Sequence, residues 1–158
     1  MAKNENTITV LVAEDESPLR TLIQQCLSQR AFQVLGASDG IDALQIAKAF
    51  SSPIDILLTD IEVPGMQGWE LAHEMQRVHP EAAVLFMSGS LACVPKEPHV
   101  EFLEKPFSLN ALLSAIERLL AGKRILQEGV VRSAPASVGA PTTKYRSAAW
   151  NVKTERSA

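Results

Sequence analysis

The chain of 158 residues is 46% hydrophobic and carries a formal net charge of −3, which fits one compact domain with a substantial core. No apolar stretch approaches the ~20 residues of a membrane span, and the polar N-terminus lacks the apolar core of a signal peptide. The two cysteines, Cys26 and Cys93, have no CxxC spacing and no obvious pairing. We therefore expect a reduced, cytoplasmic protein that does not insert into membranes.

The charge is distributed unevenly along the chain. Residues 1–122 hold 8 Lys and Arg against 16 Asp and Glu, a net of −8, whereas residues 123–158 hold 7 against 2, a net of +5. This change marks a boundary near Gly122. We therefore expect a folded domain over residues 7–122 and a basic, disordered tail over 123–158, with the polar residues 1–6 as a short N-terminal extension. The tail mixes basic and aromatic residues but shows no DNA-binding module, so nucleic acid is not expected as a partner.

Apolar runs alternate with helical patterns up to about residue 121. The runs predict five strands, in the segments ITVLVAED, FQVLGAS, IDILLTD, AAVLFMSG and VEFLEK. After the first strand, Ser17 is the predicted N-cap of a helix and Pro18 lies in its first turn. One face of that helix is formed by apolar residues at i, i+3, i+4, i+7 and i+8, namely Leu19, Leu22, Ile23, Cys26 and Leu27. The segments GIDALQIAKAF and GWELAHEMQRVH predict the second and third helices. The last helix is expected to begin after Ser108 and to end just before Gly122, with room for one helical turn that continues into the tail.

The order of these segments predicts the fold class. Strands 1, 3 and 4 are almost continuous apolar runs, as in a parallel sheet that is covered by helices on both faces. Strictly alternating strands and helices indicate a doubly wound α/β fold, here a five-stranded parallel sheet of the flavodoxin-like (βα)5 type. Pro95 and Pro98 oppose a long helix between the fourth and fifth strands. We therefore expect a shortened or missing fourth helix.

Polar residues with complementary chemistry follow the predicted strands. Glu14 and Asp15 end strand 1, Asp60 ends strand 3, Ser88 ends strand 4 and Lys105 follows strand 5. The carboxyl ends of parallel strands meet at one edge of the sheet, where such folds bind ligands. Three carboxylates crowded there repel one another unless a cation intervenes, and Mg²⁺ suits a site of carboxylates, waters and a phosphate oxygen. Lys105 and Ser88 add a positive charge and a hydroxyl donor that could hold a phosphoryl group.

This constellation resembles the receiver domain of bacterial two-component response regulators. The resemblance covers residues 7–121 and rests on an ordered set of motifs, namely Glu14-Asp15, Asp60 with the turn DIEVPGMQG, Ser88-Gly89 and Lys105-Pro106-Phe107. It implies that Asp60 accepts a phosphoryl group and that Asp15 and Asp60 bind Mg²⁺ directly. By the same resemblance, Glu14 acts on the metal through water, and the backbone carbonyl of Glu62 completes the metal site.

The resemblance also assigns roles beyond the metal. Ser88 would hydrogen-bond the phosphoryl group, Lys105 would pair with it, and Phe102 lies where the family has an aromatic switch residue. If Ser88 turned toward the phosphoryl oxygens, Phe102 would move into the vacated space and change the surface that partners contact. Family members usually have several more residues between Ser88 and Lys105, so the dimerisation face that includes the fourth helix should be altered.

We expect a stand-alone receiver domain that acts as a cytoplasmic signalling switch. Its phosphoryl donor would be a sensor histidine kinase or a histidine phosphotransfer protein, and its downstream target an unidentified protein. The chemistry would depend on Mg²⁺ and would be self-catalysed in both phosphorylation and dephosphorylation. The chain is therefore expected to be a phosphoacceptor rather than an enzyme.

Other functions compete with this interpretation. The chain could be a phosphorylation-independent interaction module on the same fold, with its binding surface in the short segment after the fourth strand. A weaker alternative is an aspartyl-phosphate hydrolase, although the second residue after Asp60 is Glu62, where such enzymes commonly have Asp. A DNA-binding regulator is the weakest alternative. His73 and His79 are six residues apart, which does not match the i, i+4 spacing of a helical zinc site, and Cys26 is expected in the core.

Overall fold

The computed structural model describes residues 7–90 and 100–132, with side chains as far as residue 124. Its strands are β1 (Thr9–Ala13), β2 (Gln33–Ala37), β3 (Ile56–Asp60), β4 (Ala83–Ser88) and β5 (Val100–Glu104). The described residues form four helices, α1 (Ser17–Ser28), α2 (Gly40–Ala49), α3 (Gly68–Val78) and α4 (Leu109–Arg132), which agrees with a shortened or missing helix before β5. The segment 91–99, on which that prediction falls, lies outside the described residues. Within the described part of the chain, no helix is both long enough and apolar enough to span a bilayer.

The five strands form one parallel sheet in the order β2-β1-β3-β4-β5. In this register Leu11 of β1 lies between Leu35 of β2 and Leu57 of β3. The chain leaves β1 toward β2 on one side and later returns to β3 on the other, so the carboxyl ends of β1 and β3 form the switch point of the fold. The predicted five-stranded, doubly wound, flavodoxin-like sheet is confirmed.

Alternate residues of the strands enter two hydrophobic layers on opposite faces of the sheet. Val10 and Val12 of β1 pack with α1 and α4, whereas Leu11 and Ala13 pack with α2 and α3. The apolar residues of β3 and β4 are at most 1% exposed. Burial on both faces explains why these strands are continuous apolar runs. Asp60 therefore ends a strand whose body is fixed in the core.

The starts of α1 and α4 are capped differently. The prediction of Ser17 as the N-cap of α1 is wrong, because Ser17 is already helical and the extended residue before it is Glu16, whose side chain makes no capping hydrogen bond. Ser108 does cap α4, since its Oγ accepts a hydrogen bond from the amide of Ala111 at 3.1 Å. Because α1 lacks such a cap, contacts other than a capping side chain must stabilise the turn before it.

The predicted apolar face of α1 is confirmed in part. Ile23, Cys26 and Leu27 are buried, and Leu19 packs against the core from its edge. Leu22 is 47% exposed instead, because at about 100° per residue it lies at the margin of the apolar stripe. Cys26 is a core residue, as predicted.

The last helix extends further than expected. The predicted end just before Gly122 is wrong, because α4 continues to Arg132, well beyond the one further turn that the sequence allowed. A glycine inside a helix costs only about 1 kcal/mol relative to alanine. In the next turn, Lys123 is bonded to Asp55 on the body of the domain at 3.2 Å, which supports the continuation. Residues 123–132 of the predicted tail are therefore helical, and the rest of the tail lies outside the described residues.

Candidate functional site

Three carboxylates meet at the carboxyl edge of the sheet. Glu14 and Asp15 follow β1 directly, and Asp60 is the last residue of β3, which pairs with β1. One carboxylate oxygen from each of the three side chains lies within 4.8 Å of the other two. The side chain of Glu14 is fully buried, that of Asp60 is 17% exposed, and that of Asp15 faces solvent. The cluster thus extends from the core to the surface.

One lysine is shared by two of these acids. Lys105 follows β5, and its Nζ lies 2.5 Å from Oδ2 of Asp60 and 2.9 Å from Oε2 of Glu14. Its backbone amide donates to the carbonyl of Ser88 at 2.7 Å, which ties the end of β5 to the end of β4. The peptide bond from Lys105 to Pro106 is cis. Within the described residues, one ammonium group thus lies among three carboxylates.

Burial and charge shift the protonation equilibria of this cluster. Desolvation raises the pKa of Glu14, and the hydrogen bonds from Lys105 and from the amide of Glu16 oppose that rise without cancelling it. Burial acts to lower the pKa of Lys105, but its hydrogen bonds to Asp60 and Glu14 outweigh burial, so this pKa is raised. Lys105 therefore stays charged at neutral pH, and Glu14 binds a proton more readily than an exposed acid does.

The chain folds closely around Asp60 on both sides of its carboxylate. The amide of Glu62 donates to Oδ1 of Asp60 at 3.1 Å, and the hydroxyl of the buried Thr59 donates to the Asp60 carbonyl at 2.9 Å. Gly68 begins α3 so close to β3 that a Cβ at this position would overlap the Asp60 carbonyl oxygen. Sequence reasoning missed this role, although a glycine at the start of a predicted helix is a visible signal of close backbone approach. The loop from Asp60 to α3 thus has little freedom to move.

The described contacts of Ser88 and Phe102 are with neighbouring residues rather than with the carboxylates. The hydroxyl of Ser88 donates to the carbonyl of Ser90 at 3.0 Å and accepts from the amide of Ser90 at 3.2 Å. Phe102 stacks on Phe86, with ring centroids 5.4 Å apart and 23° between the ring planes. It is half-buried against the layer that contains α2 and α3. Phe102 is therefore a packing residue in this structure, and its role as a switch stays a prediction.

The donor set of the acidic cluster suits a hard divalent cation. Each of the three side chains offers a carboxylate oxygen, the type of ligand that Mg²⁺ prefers. Both oxygens of Glu14 already accept hydrogen bonds, Oε1 from the amide of Glu16 at 3.1 Å and Oε2 from Lys105. Asp15 is exposed, and Asp60 is only partly covered. Asp15 and Asp60 are thus more accessible to an ion than the buried Glu14, although both oxygens of Asp60 also accept hydrogen bonds, from Lys105 and from the amide of Glu62.

The histidines are not part of a metal site in the described part of the chain. The acidic cluster is the one group of His, Cys, Asp and Glu side chains there that is spaced to hold an ion. His79 instead connects the end of α3 to α2 and to the segment before β3: its Nδ1 accepts from the amide of Ile54 at 3.3 Å, and its Nε2 lies 2.8 Å from the carbonyl of Ala47. These bonds make His79 a structural residue at the end of α3.

A comparison with protein families assigns the chain to one of them. The family model of the response regulator receiver domain matches residues 10–117, well over half of the chain. The chain belongs to this family, and it is a receiver domain of two-component signalling. The resemblance noted from the sequence motifs is confirmed.

Two curated relatives and one solved structure illustrate the match. The response regulator receiver protein CpdR of Brucella abortus (strain 2308) is 30% identical over 118 residues, which cover 70% of this chain and 95% of CpdR. The sensor kinase CckA of the same organism is 32% identical over 117 residues, which cover 71% of this chain but only 12% of CckA. The crystal structure of the receiver domain from the hybrid histidine kinase CckA has a TM-score of 0.63 at 32% identity and covers 71% of this chain and 98% of that chain. The chain thus spans nearly all of one relative and a small part of the other.

Proposed function

We propose that Asp60 accepts a phosphoryl group from a phosphohistidine and that this transfer switches the interactions of the protein. A carboxylate oxygen of Asp60 attacks phosphorus, and a P–O bond forms as the P–N bond to the imidazole breaks. The electron pair of the broken bond stays on the imidazole nitrogen, which takes up a proton. The product is an acyl phosphate, whose oxygens bring new negative charge and strong hydrogen-bond acceptors to the sheet edge.

Lys105 and the other acids would support this transfer. The ammonium group of Lys105 is 2.5 Å from Asp60 and has a raised pKa, so it can pair with an oxygen of the transferred group. Mg²⁺, held by Asp15, Asp60 and the backbone carbonyl of Glu62, with Glu14 acting through water, would neutralise charge on the phosphoryl oxygens. The fixed loop after Asp60 keeps its carboxylate at the place where these groups converge.

Ser88 and Phe102 would convert the new charge into a change of surface. The Ser88 hydroxyl holds the backbone of Ser90 in the unmodified protein, and it would exchange that bond for one to a phosphoryl oxygen. Phe102, which is half-buried on Phe86, would then shift and alter the surface around β5. Partners would read this altered surface.

The phosphoryl donor would be a sensor histidine kinase or a histidine phosphotransfer protein, and the signal would pass to another protein. Similarity to the sensor kinase CckA and to the receiver protein CpdR supports a place in such a phosphorelay. Residues 7–122 would form the switch in the cytoplasm, after an N-terminal extension over residues 1–6. The basic tail over 123–158 would begin as the continuation of α4. Slow, self-catalysed gain and loss of the phosphoryl group would make the chain a phosphoacceptor rather than an enzyme.

The observation that carries this proposal is the group of three carboxylates within 4.8 Å, with Lys105 bonded to Asp60. The test is the intact mass of the wild type and of Asp60→Asn after incubation with Mg²⁺ and a small acyl phosphate. We expect one added phosphoryl group in the wild type, and none in Asp60→Asn or in the presence of a chelator. Asp55→Asn, at the other end of β3, is the matched control and should be labelled like the wild type. An unlabelled wild type, under conditions that label another receiver domain, would contradict the proposal.

A phosphorylation-independent interaction module is the second candidate. The observation that favours it is that both carboxylate oxygens of Asp60 already accept hydrogen bonds, from Lys105 and from the amide of Glu62. Such a module would bind its partner equally well as the wild type and as Asp60→Asn. A switch would lose the response to phosphorylation in that variant, so partner affinity with and without the acyl phosphate separates the two functions.

A further inference from the structure

Arg20 connects α1 to the turn that carries two of the acids. It lies in the first turn of α1, where its backbone amide donates to the carbonyl of Glu16 at 2.9 Å. Its side chain turns back toward β1, and Nη1 donates to the carbonyl oxygen of Glu14 at 2.6 Å and reaches that of Asp15 at 3.4 Å. Arg20 is thus bonded to the backbone of the acidic residues and leaves their carboxylates free for other contacts.

The turn from β1 to α1 has few other fixed points. The amide of Glu14 donates to the carbonyl of Ala37 at 3.1 Å, and the amide of Glu16 donates to Oε1 of Glu14 at 3.1 Å. The start of α1 has no side-chain cap, because the side chain of Glu16 makes no capping hydrogen bond. Meanwhile the carboxylates of Glu14, Asp15 and Asp60 repel one another across distances below 4.8 Å. The charged side chain of Arg20, which is hydrogen-bonded to the backbone carbonyls of Glu14 and Asp15, would keep this turn from moving apart under that repulsion.

We infer that Arg20 is a positioning residue for the divalent cation site. It holds the backbone of Glu14 and Asp15 so that their carboxylates stay beside Asp60 when no cation is bound. The inference rests on the proposed function, because it assigns Arg20 to the site that would hold Mg²⁺. In the described contacts Arg20 acts through the backbone of the two acids and makes no bond to their ligand oxygens.

Charge and position predict opposite effects when Arg20 is replaced, which makes the inference testable. If Arg20 contributed only a positive charge near the site, its removal would strengthen the binding of another cation. If Arg20 positions the ligands, its removal weakens that binding, since groups that orient metal ligands typically contribute about 10- to 100-fold in affinity. Lysine at this position keeps the charge but loses the planar, forked donor group of arginine.

The experiment is calorimetric titration of the full chain with Mg²⁺, alongside intact-mass labelling by a small acyl phosphate. The variants are Arg20→Met and Arg20→Lys, and the matched control is Arg30→Met. Arg30 follows α1 at its other end, where it contacts the carbonyl of Cys26 at 3.4 Å. Thermal unfolding without Mg²⁺ identifies the temperature below which each variant is folded. If Arg20→Met fails to fold, Arg20→Lys carries the test. Hydrogen exchange of the Glu16 amide, measured without metal, reports the order of the turn independently of any cation.

We expect Mg²⁺ binding to be about tenfold weaker in Arg20→Met and weakened in Arg20→Lys, with faster exchange of the Glu16 amide in both. Arg30→Met should match the wild type. If the wild type binds Mg²⁺ and is labelled but both Arg20 variants bind Mg²⁺ as tightly or more tightly, the positioning role of Arg20 is overturned and the proposed function is not. A wild type that neither binds Mg²⁺ nor is labelled would overturn the proposed function, and this inference with it.

Discussion

β3 has an aspartate at each end, and each aspartate is bonded to a lysine. Asp55 precedes the strand, and its carboxylate accepts from Nζ of Lys123 at 3.2 Å and from the amide of Thr9 at 2.9 Å. Asp60 ends the strand, and its carboxylate accepts from Nζ of Lys105 at 2.5 Å. The two ends thus use the same pair of residue types, one to fasten α4 to the sheet and the other in the acidic cluster.

The two ends of β3 differ in the number of acidic side chains that surround each lysine. At the amino end, Lys123 is bonded to one acid in the described part of the chain, so the pair is neutral. At the carboxyl end, Lys105 is bonded to Asp60 and to the buried Glu14, and Asp15 lies within 4.8 Å of both acids. A neutral pair can only hold elements together, whereas a cluster with more acids than bases can accept a further cation. The surplus of carboxylates, rather than the lysine–aspartate pair itself, therefore indicates the functional end.

Replacing the two lysines should give the largest contrast. Lys105→Met should reduce the rate of phosphoryl uptake by about 100-fold, because the ammonium group that is bonded to Asp60 and would pair with the transferred group is lost. It should also bind Mg²⁺ more tightly, because a positive charge is lost beside the acids. Lys123→Met should be labelled at the wild-type rate and should lose only about 1 kcal/mol of unfolding free energy. Time courses of intact mass, calorimetry and urea unfolding check these outcomes, and equal rates of labelling in the two variants would refute the contrast.

Two glycines provide the next contrast, in stability. Gly68→Ala should lose about 2 kcal/mol of unfolding free energy, because its Cβ would overlap the Asp60 carbonyl oxygen and force the loop or α3 to shift. The same shift should slow labelling of Asp60. Gly122→Ala is the matched control, since no described atom lies within 4 Å of a Cβ at this position and alanine is favoured by up to about 1 kcal/mol inside a helix. Urea unfolding of both variants decides the matter, and a Gly68→Ala protein as stable as the wild type would show that the close approach is not tight.

Replacing Glu14 near the carboxyl end of β3, or Asp55 at its amino end, by the matching amide should change the free energy of unfolding by smaller amounts. The two changes should have opposite signs. Burial raises the pKa of Glu14 above its ordinary value of 4.5. Between pH 4.5 and this raised pKa, the folded state therefore binds a proton that the unfolded state has released. The contribution of Glu14 to stability therefore falls as the pH rises from 4.5 through the raised pKa. Glu14→Gln should be more stable than the wild type above this window and equally stable below it.

Asp55→Asn should instead lose about 1 kcal/mol at neutral pH, because the carboxylate of Asp55 is bonded to Lys123 and to the amide of Thr9. Urea unfolding at neutral pH and at pH 4 measures both variants against the wild type. If Glu14→Gln proved less stable than the wild type at neutral pH, the buried acid would be stabilising, and the cluster would carry no unfavourable surplus of charge.

The fold could be predicted because it follows from patterns along the chain. Continuous apolar runs indicated strands buried on both faces, and the alternation of strands and helices indicated a parallel sheet. A parallel sheet places the ends of β1 and β3 at one edge, so the proximity of Glu14, Asp15 and Asp60 followed from topology alone. The local signals were less dependable. Gly122 is a reasonable helix stop in sequence, but the bond between Lys123 and Asp55 keeps the next turn of α4 on the domain.

The details of the site could not be predicted because they depend on side-chain conformations between distant segments. The sharing of Lys105 by Glu14 and Asp60 arises where the ends of three strands meet, and no sequence pattern specifies which acids an ammonium group will contact. Arg20 is similar, since a helical arginine usually faces solvent, whereas here it turns back onto the carbonyl of Glu14. Such contacts become visible only when the backbone has been placed.

The most direct test of the contrast between the two ends is to locate the phosphoryl group on the chain. Wild-type protein is labelled with a small acyl phosphate and Mg²⁺ and then treated with borohydride, which reduces an aspartyl phosphate to homoserine. Tandem mass spectrometry of the peptides then identifies the modified position. We predict homoserine at position 60, an unmodified Asp55, and no homoserine when Mg²⁺ is removed. Homoserine at another position, or equal labelling of position 60 without Mg²⁺, would contradict the assignment of the acidic cluster as the phosphoryl and metal site.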